Sequence, residues 1–501
     1  MKKVFVFFLA SFIPAILFAQ SWQYTTAMNS VRWLSEMVVL DNQTALIVGG
    51  YNENGEPLSS CEIYDPATAT WSLTGSLHVA RVYPTIVKLS NGHVISLCGG
   101  TQFGVGTATD VVEDFDPSTG SWAVVGKLQK ARYVPCATLL QDGRILISGG
   151  LVQGGMTATC EIYDPITNVS KLTGQMQVSR YCAQAVLIND GKVLITGGRD
   201  GGSVSNYYGE CELYDPIAES WSLASSMNQS RTMGVLTHFS DNSVLAAGGR
   251  NTSNSLATGS EILDPLTNLW QNTSPIHEPI HWTAGIAFPD DRFMATGGMV
   301  DGEWSDPSGL AVISTPQCEW YDRNLQQWYF APQLNYSRCR HDAVYIHQTT
   351  STALPTEFLL VAGGQKGNGS RDSAGLHLHS DDFTNSAEIL DVTKPALLSY
   401  MKMPINAGTA SVPYQNGRTT VNFIDEADGS INIDISLQTD ARVETKILSM
   451  NAQISKRVFD ENLHSGVQRI HVATTDLPSG AYLLELKSNG IPYLFKFLVV
   501  K

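Results

Sequence analysis

Short apolar runs that end in a glycine pair recur along most of the chain. The pairs are Gly49-Gly50, Gly99-Gly100, Gly149-Gly150, Gly197-Gly198, Gly248-Gly249, Gly297-Gly298 and Gly363-Gly364, with steps of 50, 50, 48, 51, 49 and 66 residues. After each pair a glutamate opens a second apolar or aromatic stretch that closes on aspartate. Glu62-Ile63-Tyr64-Asp65 is the first of these, and Glu113, Glu161, Glu212, Glu261, Glu319 and Glu388 open the others. Six residues past the aspartate stands Trp71, Trp122, Trp221, Trp270 or Trp328, with Ser170 and Leu397 at the two remaining places. Upstream of the first six pairs, by 16 to 18 residues, lies Arg32, Arg81, Arg132, Arg180, Arg231 or, as the exception, His281; Arg338 precedes the seventh pair by 25.

Each unit therefore predicts four short strands. The first is an apolar segment such as Tyr83 to Leu89, which turns through Asn91-Gly92, Asp142-Gly143 or Asp190-Gly191, strong two-residue hairpin signals. The second ends at the glycine pair, where a missing side chain permits close backbone approach. The third carries the glutamate motif and turns at Asp-Pro in five units, a favourable type I start. The fourth begins at the tryptophan. The glutamates and arginines recur too regularly to be a ligand site. They are expected to be paired scaffold charges, each contributing ~0.2–1 kcal/mol if exposed.

This pattern resembles the kelch repeat, and the resemblance spans seven consecutive units over about 380 residues. It implies an all-β, seven-bladed β-propeller whose blades bury apolar faces against one another. The segment from Trp22 to Arg32 has the same spacing as Trp221 to Arg231. Trp22 therefore opens a fourth strand with no unit of its own, and the N-terminal segment is expected to complete the last blade and remove an exposed edge. The other possibility is that 396–403 supplies that strand itself.

Outside the repeats, Lys2 and Lys3 precede the apolar run Val4 to Phe18, and small Ala19 follows, the layout of a secretory signal peptide cleaved after Ala19. A 15-residue core broken by Pro14 is short for a membrane span, so the mature chain is expected to have none. The resulting divisions are a signal peptide at 1–19, a propeller at 20–400, a linker at 401–411 and a C-terminal β-rich domain at 412–501. In that last segment six alternating runs, from Thr419 to Ile424 through Tyr493 to Lys501, read as a small Ig-like β-sandwich. Leu477-Pro478-Ser479-Gly480-Ala481-Tyr482 and the apolar close at Lys501 resemble the C-terminal sorting domain of the type IX (Por) secretion system of Bacteroidetes. The usual Pro-Asn-Pro entry is missing. The resemblance implies the type IX machinery as a partner and a secreted or cell-surface destination; a generic accessory sandwich is the alternative.

Composition narrows the function. With 47 acidic against 32 basic residues the net charge is -15, and without the two signal lysines it is 30 - 47 = -17. Sequence-independent binding to nucleic acid or to an anionic membrane surface needs clustered Lys and Arg, so both are excluded. Eight cysteines in an exported chain suggest disulfides, but Cys61, Cys160, Cys211 and Cys318 occupy one place in different units, too far apart to bridge. Buried thiols fit better, with Cys318 and Cys339 left open as one pair.

Function in a repeat protein sits where one unit departs from the rest. The longest connections follow the glycine pairs of units six and seven, and such loops are uncommon unless functional. They and the neighbouring connections supply the candidate ligand-binding residues His281, Trp304, Arg338, Arg340, His341, Arg371, His377 and His379. No catalytic residue, metal site or cofactor is assigned, because His377-x-His379 in a Gly- and Ser-rich loop is a weak ligand pattern. The expected function is a monomeric, exported binding module for a glycan or protein. A rival follows from the resemblance to the copper galactose oxidases and sialic-acid mutarotases, secreted carbohydrate-active enzymes that also use kelch-like propellers. The tyrosine and histidine pair of the oxidases does not appear in this sequence.

Overall fold

The computed structural model describes residues 21–102, 107–200, 206–251, 255–301, 313–348, 356–366 and 383–392, and in the C-terminal segment mainly the backbone of the strands. The chain divides into two units, 1–393 and 394–501.

Seven four-stranded antiparallel sheets make up the first unit. In the first blade, Glu36–Val39 pairs with Ala45–Val48, then Cys61–Asp65, then Thr70–Leu73. The first strands of successive blades lie side by side, and Asp342–His347 of the last blade meets Glu36–Val39 of the first, so the sheets close a ring. The second strand of a blade packs on both faces against its neighbours and, in the first six blades, is buried throughout. Ala45–Val48, Ile145–Ser148 and Phe293–Thr296 are all fully buried. The fourth strand is polar except where its tryptophan turns inward, as at Trp71 and Trp122. Between blades the cores are continuous: Leu46 and Val48 of the first pack with Val94, Phe115 and Trp122 of the second.

The last blade contains Asp342–His347, Glu357–Ala362 and Ala387–Asp391, and its fourth strand is Gln23–Tyr24 from the start of the chain. Gln23 faces Ile389 and Tyr24 faces Glu388. This is the closure expected from the Trp22 spacing. Trp22 itself is buried, and one core cluster joins Ile47 and Tyr64 of the first blade to Ile346 and Leu360 of the last.

The charge pairs differ from expectation in their burial. Arg32–Glu62, Arg81–Glu113, Arg132–Glu161, Arg180–Glu212, Arg231–Glu261 and Arg338–Glu388 meet at 2.5–2.9 Å with side chains at most 4% exposed. Five of these carboxylates also accept two consecutive backbone N–H groups, as Glu212 does from Gln177 and Val178, and Glu388 accepts the backbone and side-chain amides of Asn335. Each guanidinium donates through Nη1 to two carbonyls, as Arg180 does to Gly197 and Glu210. These buried pairs bolt the connection between blades to the strand ends. Removing one partner from such a pair strands a buried charge at ~3–5 kcal/mol, well above the surface value.

The same bonds correct the repeat register in two places. In the second blade Arg81 donates to Cys98 O, and the left-handed residues are Cys98 and Gly99 (φ +57° and +86°), so Cys98-Gly99 takes the place of a glycine pair. In the sixth, Gly249 N–H donates to Ile280 O, whereas in other blades the corresponding bond ends on the arginine, as from Gly50 N–H to Arg81 O. Ile280, not His281, therefore stands at the arginine position. Glu319 lacks an arginine and takes His277 Nδ1 at 2.7 Å. A side chain at Gly49 (φ +59°) is excluded because its Cβ would lie 2.5 Å from Arg81 O.

The second unit holds two four-stranded sheets. One runs Ala410–Val412, Thr419–Asp425, Ile431–Leu437, Gly466–Val472; the other Ser455–Leu463, Ala441–Ser449, Gly480–Ser488, Ile491–Val499. The nine-residue strand Ser455–Leu463 was not anticipated, because its sequence is polar and only weakly alternating. Gly480 and Tyr482 lie in the Gly480–Ser488 strand opposite Val499 and Phe497. Leu477 and Lys501, like Ala19, fall outside the described residues.

Candidate functional site at the axial mouth

The connections that enter the first strands carry a feature of the ring as a whole. Two residues beyond the arginine position, the backbone is left-handed in every blade: Leu34, Tyr83, Val134, Cys182, Met233, Trp282 and Arg340, all with φ between +47° and +57°. None is glycine, and bulky side chains rarely adopt this conformation. Backbone bonds between blades hold it. Tyr83 N–H donates to Leu34 O, Leu34 N–H to Arg340 O, Arg340 N–H to Trp282 O and Trp282 N–H to Met233 O. The residue just before each left-handed position bridges to the one just past the glycine pair, as in Trp33–Tyr51, Thr232–Arg250, His281–Met299 and Cys339–Gln365. The fold thus lays a second tier over one end of the channel, on the face that carries the long connections.

Aromatic side chains cross this mouth. The rings of Tyr83 and Trp282, from the second and sixth blades, lie 5.6 Å apart, and Tyr83 also meets Tyr133 edge-on at 5.3 Å. Trp33 stacks on Phe383 at 5.2 Å and contacts Tyr51. Arg340 lies among them, its guanidinium 5.6 Å from the Trp282 ring centre and 5.7 Å from that of Trp33. It is 7% exposed. Its Nη1 donates to Gln365 Oε1 at 2.9 Å, whereas Nε and Nη2 have no hydrogen-bond partner among the described residues. The buried hydroxyls of Tyr83 and Tyr133 have none either. Burial pushes both phenols well up, with the charge of Arg340 pulling them back.

The other predicted residues take different places. His281 is buried at the same mouth. Its Nδ1 bonds to Met299 O and its Nε2 faces Arg250 Nε at 3.4 Å. Burial, with Arg250 and Arg340 nearby, pushes it down to about 3, so it is neutral. His341 is held inside the ring by Thr296 Oγ1, and burial next to Arg338 pushes it down to about 3 as well. Arg338 is scaffold, fully buried on Glu388 and the carbonyls of Gly363 and Ser386. Trp304, Arg371, His377 and His379 lie outside the described residues, although the connection carrying the last three leaves from Gln365–Lys366 and returns at Phe383, both at this mouth. Of the eight candidates the structure brings Arg340 and His281 together. Sequence reasoning missed Trp33, Tyr83, Tyr133 and Trp282. The signal was the pair of residues after each arginine position, where the units differ from one another: Trp33 and Tyr133 stand one place past it, Tyr83 and Trp282 two.

A comparison with known families matches the Kelch motif at residues 38–78 and 180–228. The repeats are kelch repeats. An F-box/kelch-repeat protein of Arabidopsis thaliana is 31% identical over 112 residues, 21% of this chain and 29% of that protein. Kelch-like protein 35 of Mus musculus is 32% identical over 132 residues, 26% of this chain and 22% of its own. The kelch chain thus spans under a third of the length of these curated relatives. A fungal alcohol oxidase of the AA5 family, solved in complex with copper, aligns over 96% of this chain and all of its own with a TM-score of 0.56 and 14% identity, a likeness of fold alone.

Among the described residues of this mouth, His281 has both ring nitrogens engaged and the charged neighbours are arginines, a set that does not suit a copper ion. Among the described residues no group of three His, Cys, Asp or Glu could hold a metal ion.

Proposed function

We propose that the chain is an exported binding protein that presents the loop-bearing propeller face to a glycan or protein ligand. The observation that carries this reading is the set of buried donors at the axial mouth, Arg340 Nε and Nη2 with the Tyr83 and Tyr133 hydroxyls, which lack partners among the described residues. Native proteins pair nearly all buried polar groups, so a buried pair of donors on one edge without a partner calls for an explanation, and a bound acceptor supplies one. The scaffold arginines Arg32, Arg180, Arg231 and Arg338 also leave Nε without a partner among the described residues, but each holds a carboxylate through Nη2, whereas Arg340 leaves both atoms of one edge unpartnered. Delivery by the type IX system completes the proposal: residues 1–19 serve as an export signal, and the two-sheet C-terminal segment acts as an Ig-like sorting domain that directs the protein to the medium or the cell surface. Among the described residues no helix is long and apolar enough to cross a membrane.

A glycan array probed with the whole mature chain tests the binding reading. Reproducible recognition of a defined glycan is the expected result. Stoichiometric bound copper with a tyrosyl-radical absorbance would instead make the protein an oxidase. Export is tested separately by sequencing the N-terminus of the secreted chain, which is expected to begin at Gln20.

A further inference from the structure

The unpaired atoms of Arg340 specify more than a positive charge. A guanidinium offers two edges for bidentate bonding, and here Nη1 is held by Gln365 Oε1. The Nε–Nη2 edge remains, buried and without a partner among the described residues. Two parallel N–H donors in one plane match the two oxygens of a carboxylate. We propose that the axial mouth binds a small organic carboxylate, its two oxygens on Nε and Nη2 of Arg340 and its adjoining polar groups within reach of the Tyr83 and Tyr133 hydroxyls. This rests on the reading of the loop-bearing face as the binding face and narrows it to one ligand chemistry.

Three features favour this class over alternatives. Among the described residues Arg340 has no carboxylate partner, unlike the six scaffold arginines, and its free edge offers two donors to one anionic group. His281 beside it is neutral, and the neighbouring Arg250 directs its Nε at His281 Nε2. The surrounding surface is aromatic, with Trp33 and Trp282 flanking the guanidinium, which excludes water from the pair and offers flat faces to an apolar or sugar body. Tyr83 and Trp282 are only half-buried, so the aromatic surface of the mouth is partly exposed.

The test is calorimetric titration of the whole chain with matched pairs, glucuronate against glucose and benzoate against benzyl alcohol, with sulfate as an inorganic arm. The expected result is that at least one acid binds at least tenfold more tightly than its neutral partner and than sulfate. Arg340→Gln should abolish this preference. Because that change sits at a left-handed residue, a second variant guards against misfolding. Tyr83→Phe/Tyr133→Phe removes only two unpartnered hydroxyls, should leave the melting temperature within a degree or two, and should weaken the acid at least fivefold. Arg323→Gln, at a distant surface ion pair with Asp241, should change nothing. Equal binding of acid and neutral partner would overturn the carboxylate while leaving the binding face intact. Preference for sulfate, or failure of every small acid to bind, would also overturn it, with the glycan array then deciding separately on the face.

Discussion

The indole N–H of Trp22 donates to the Pro332 carbonyl at 2.8 Å, joining positions 310 residues apart. Trp270 makes the same bond to Ser225 O inside the run of blades, so the N-terminal segment is built as the missing strand of the last blade. Asn335 adds a bond from its amide to Trp22 O. Trp22→Ala should therefore destabilise the whole propeller by ~3–5 kcal/mol, the usual loss for a buried tryptophan. Denaturant unfolding checks this, and a loss under 1 kcal/mol would mean that the ring does not depend on this closure.

The buried charge pairs predict an asymmetry. Glu212→Gln leaves the Arg180 charge without its counter-ion in the interior, and a loss of ~3–5 kcal/mol is expected. Surface pair Lys171–Glu219 should contribute ~1 kcal/mol or less, and Lys171→Met is the matched control. Repeating both at 1 M salt should diminish only the surface effect.

Glu36 and Asp342 open the first strands of the first and last blades, and both are half-buried. Glu36 accepts from Ile86 N–H, and Asp342 from Met37 N–H. Burial, with Asp342 nearby, pushes Glu36 up to about 8, and burial pushes Asp342 up to about 7. The folded protein therefore holds protons that the unfolded chain releases near pH 4. Their stabilising contribution is full below about pH 4, declines as pH rises, and is gone above about pH 8. Melting temperature should fall between pH 5 and pH 8, and Glu36→Gln/Asp342→Asn should flatten that slope and raise stability at pH 8 by an amount on the order of 1–3 kcal/mol.

All eight cysteines are free thiols, including Cys318 and Cys339. Burial pushes Cys98, Cys136, Cys182, Cys211 and Cys318 up to about 12, and Cys61 and Cys339 to about 11. Thiolate is the reactive form, so the native protein at pH 8 should react with an aromatic disulfide reagent at less than one thiol in the first minutes, and at all eight once unfolded. Fewer than eight after unfolding would reveal a disulfide.

Much of the propeller was legible because its information is local and repeated. Alternation, glycine pairs and Asp-Pro turns act within one blade, and seven copies in register leave little ambiguity about blade number. Even closure was readable, since Trp22 to Arg32 copies the spacing of Trp221 to Arg231. Two registers misled. Cys98 adopts a glycine-like left-handed backbone, and His281 stands one place past the arginine position, because hydrogen bonds between blades, rather than residue type, fix those positions.

The site was legible only in part. Long connections pointed to the loop-bearing face and to Arg340, but not to Tyr83, Tyr133, Trp33 or Trp282, which come from the second, third, first and sixth blades. Sequence by itself determined the blade: which residues pair, which face inward, and which charges are scaffold. Only the closed ring decided that side chains some 50 to 250 residues apart would converge on one axis. It also made Arg338 and Arg340, two residues apart, a charge-paired bolt and a donor whose Nε–Nη2 edge has no partner among the described residues. One is turned into a blade beside Glu388, the other toward the mouth, where no carboxylate among the described residues pairs with it.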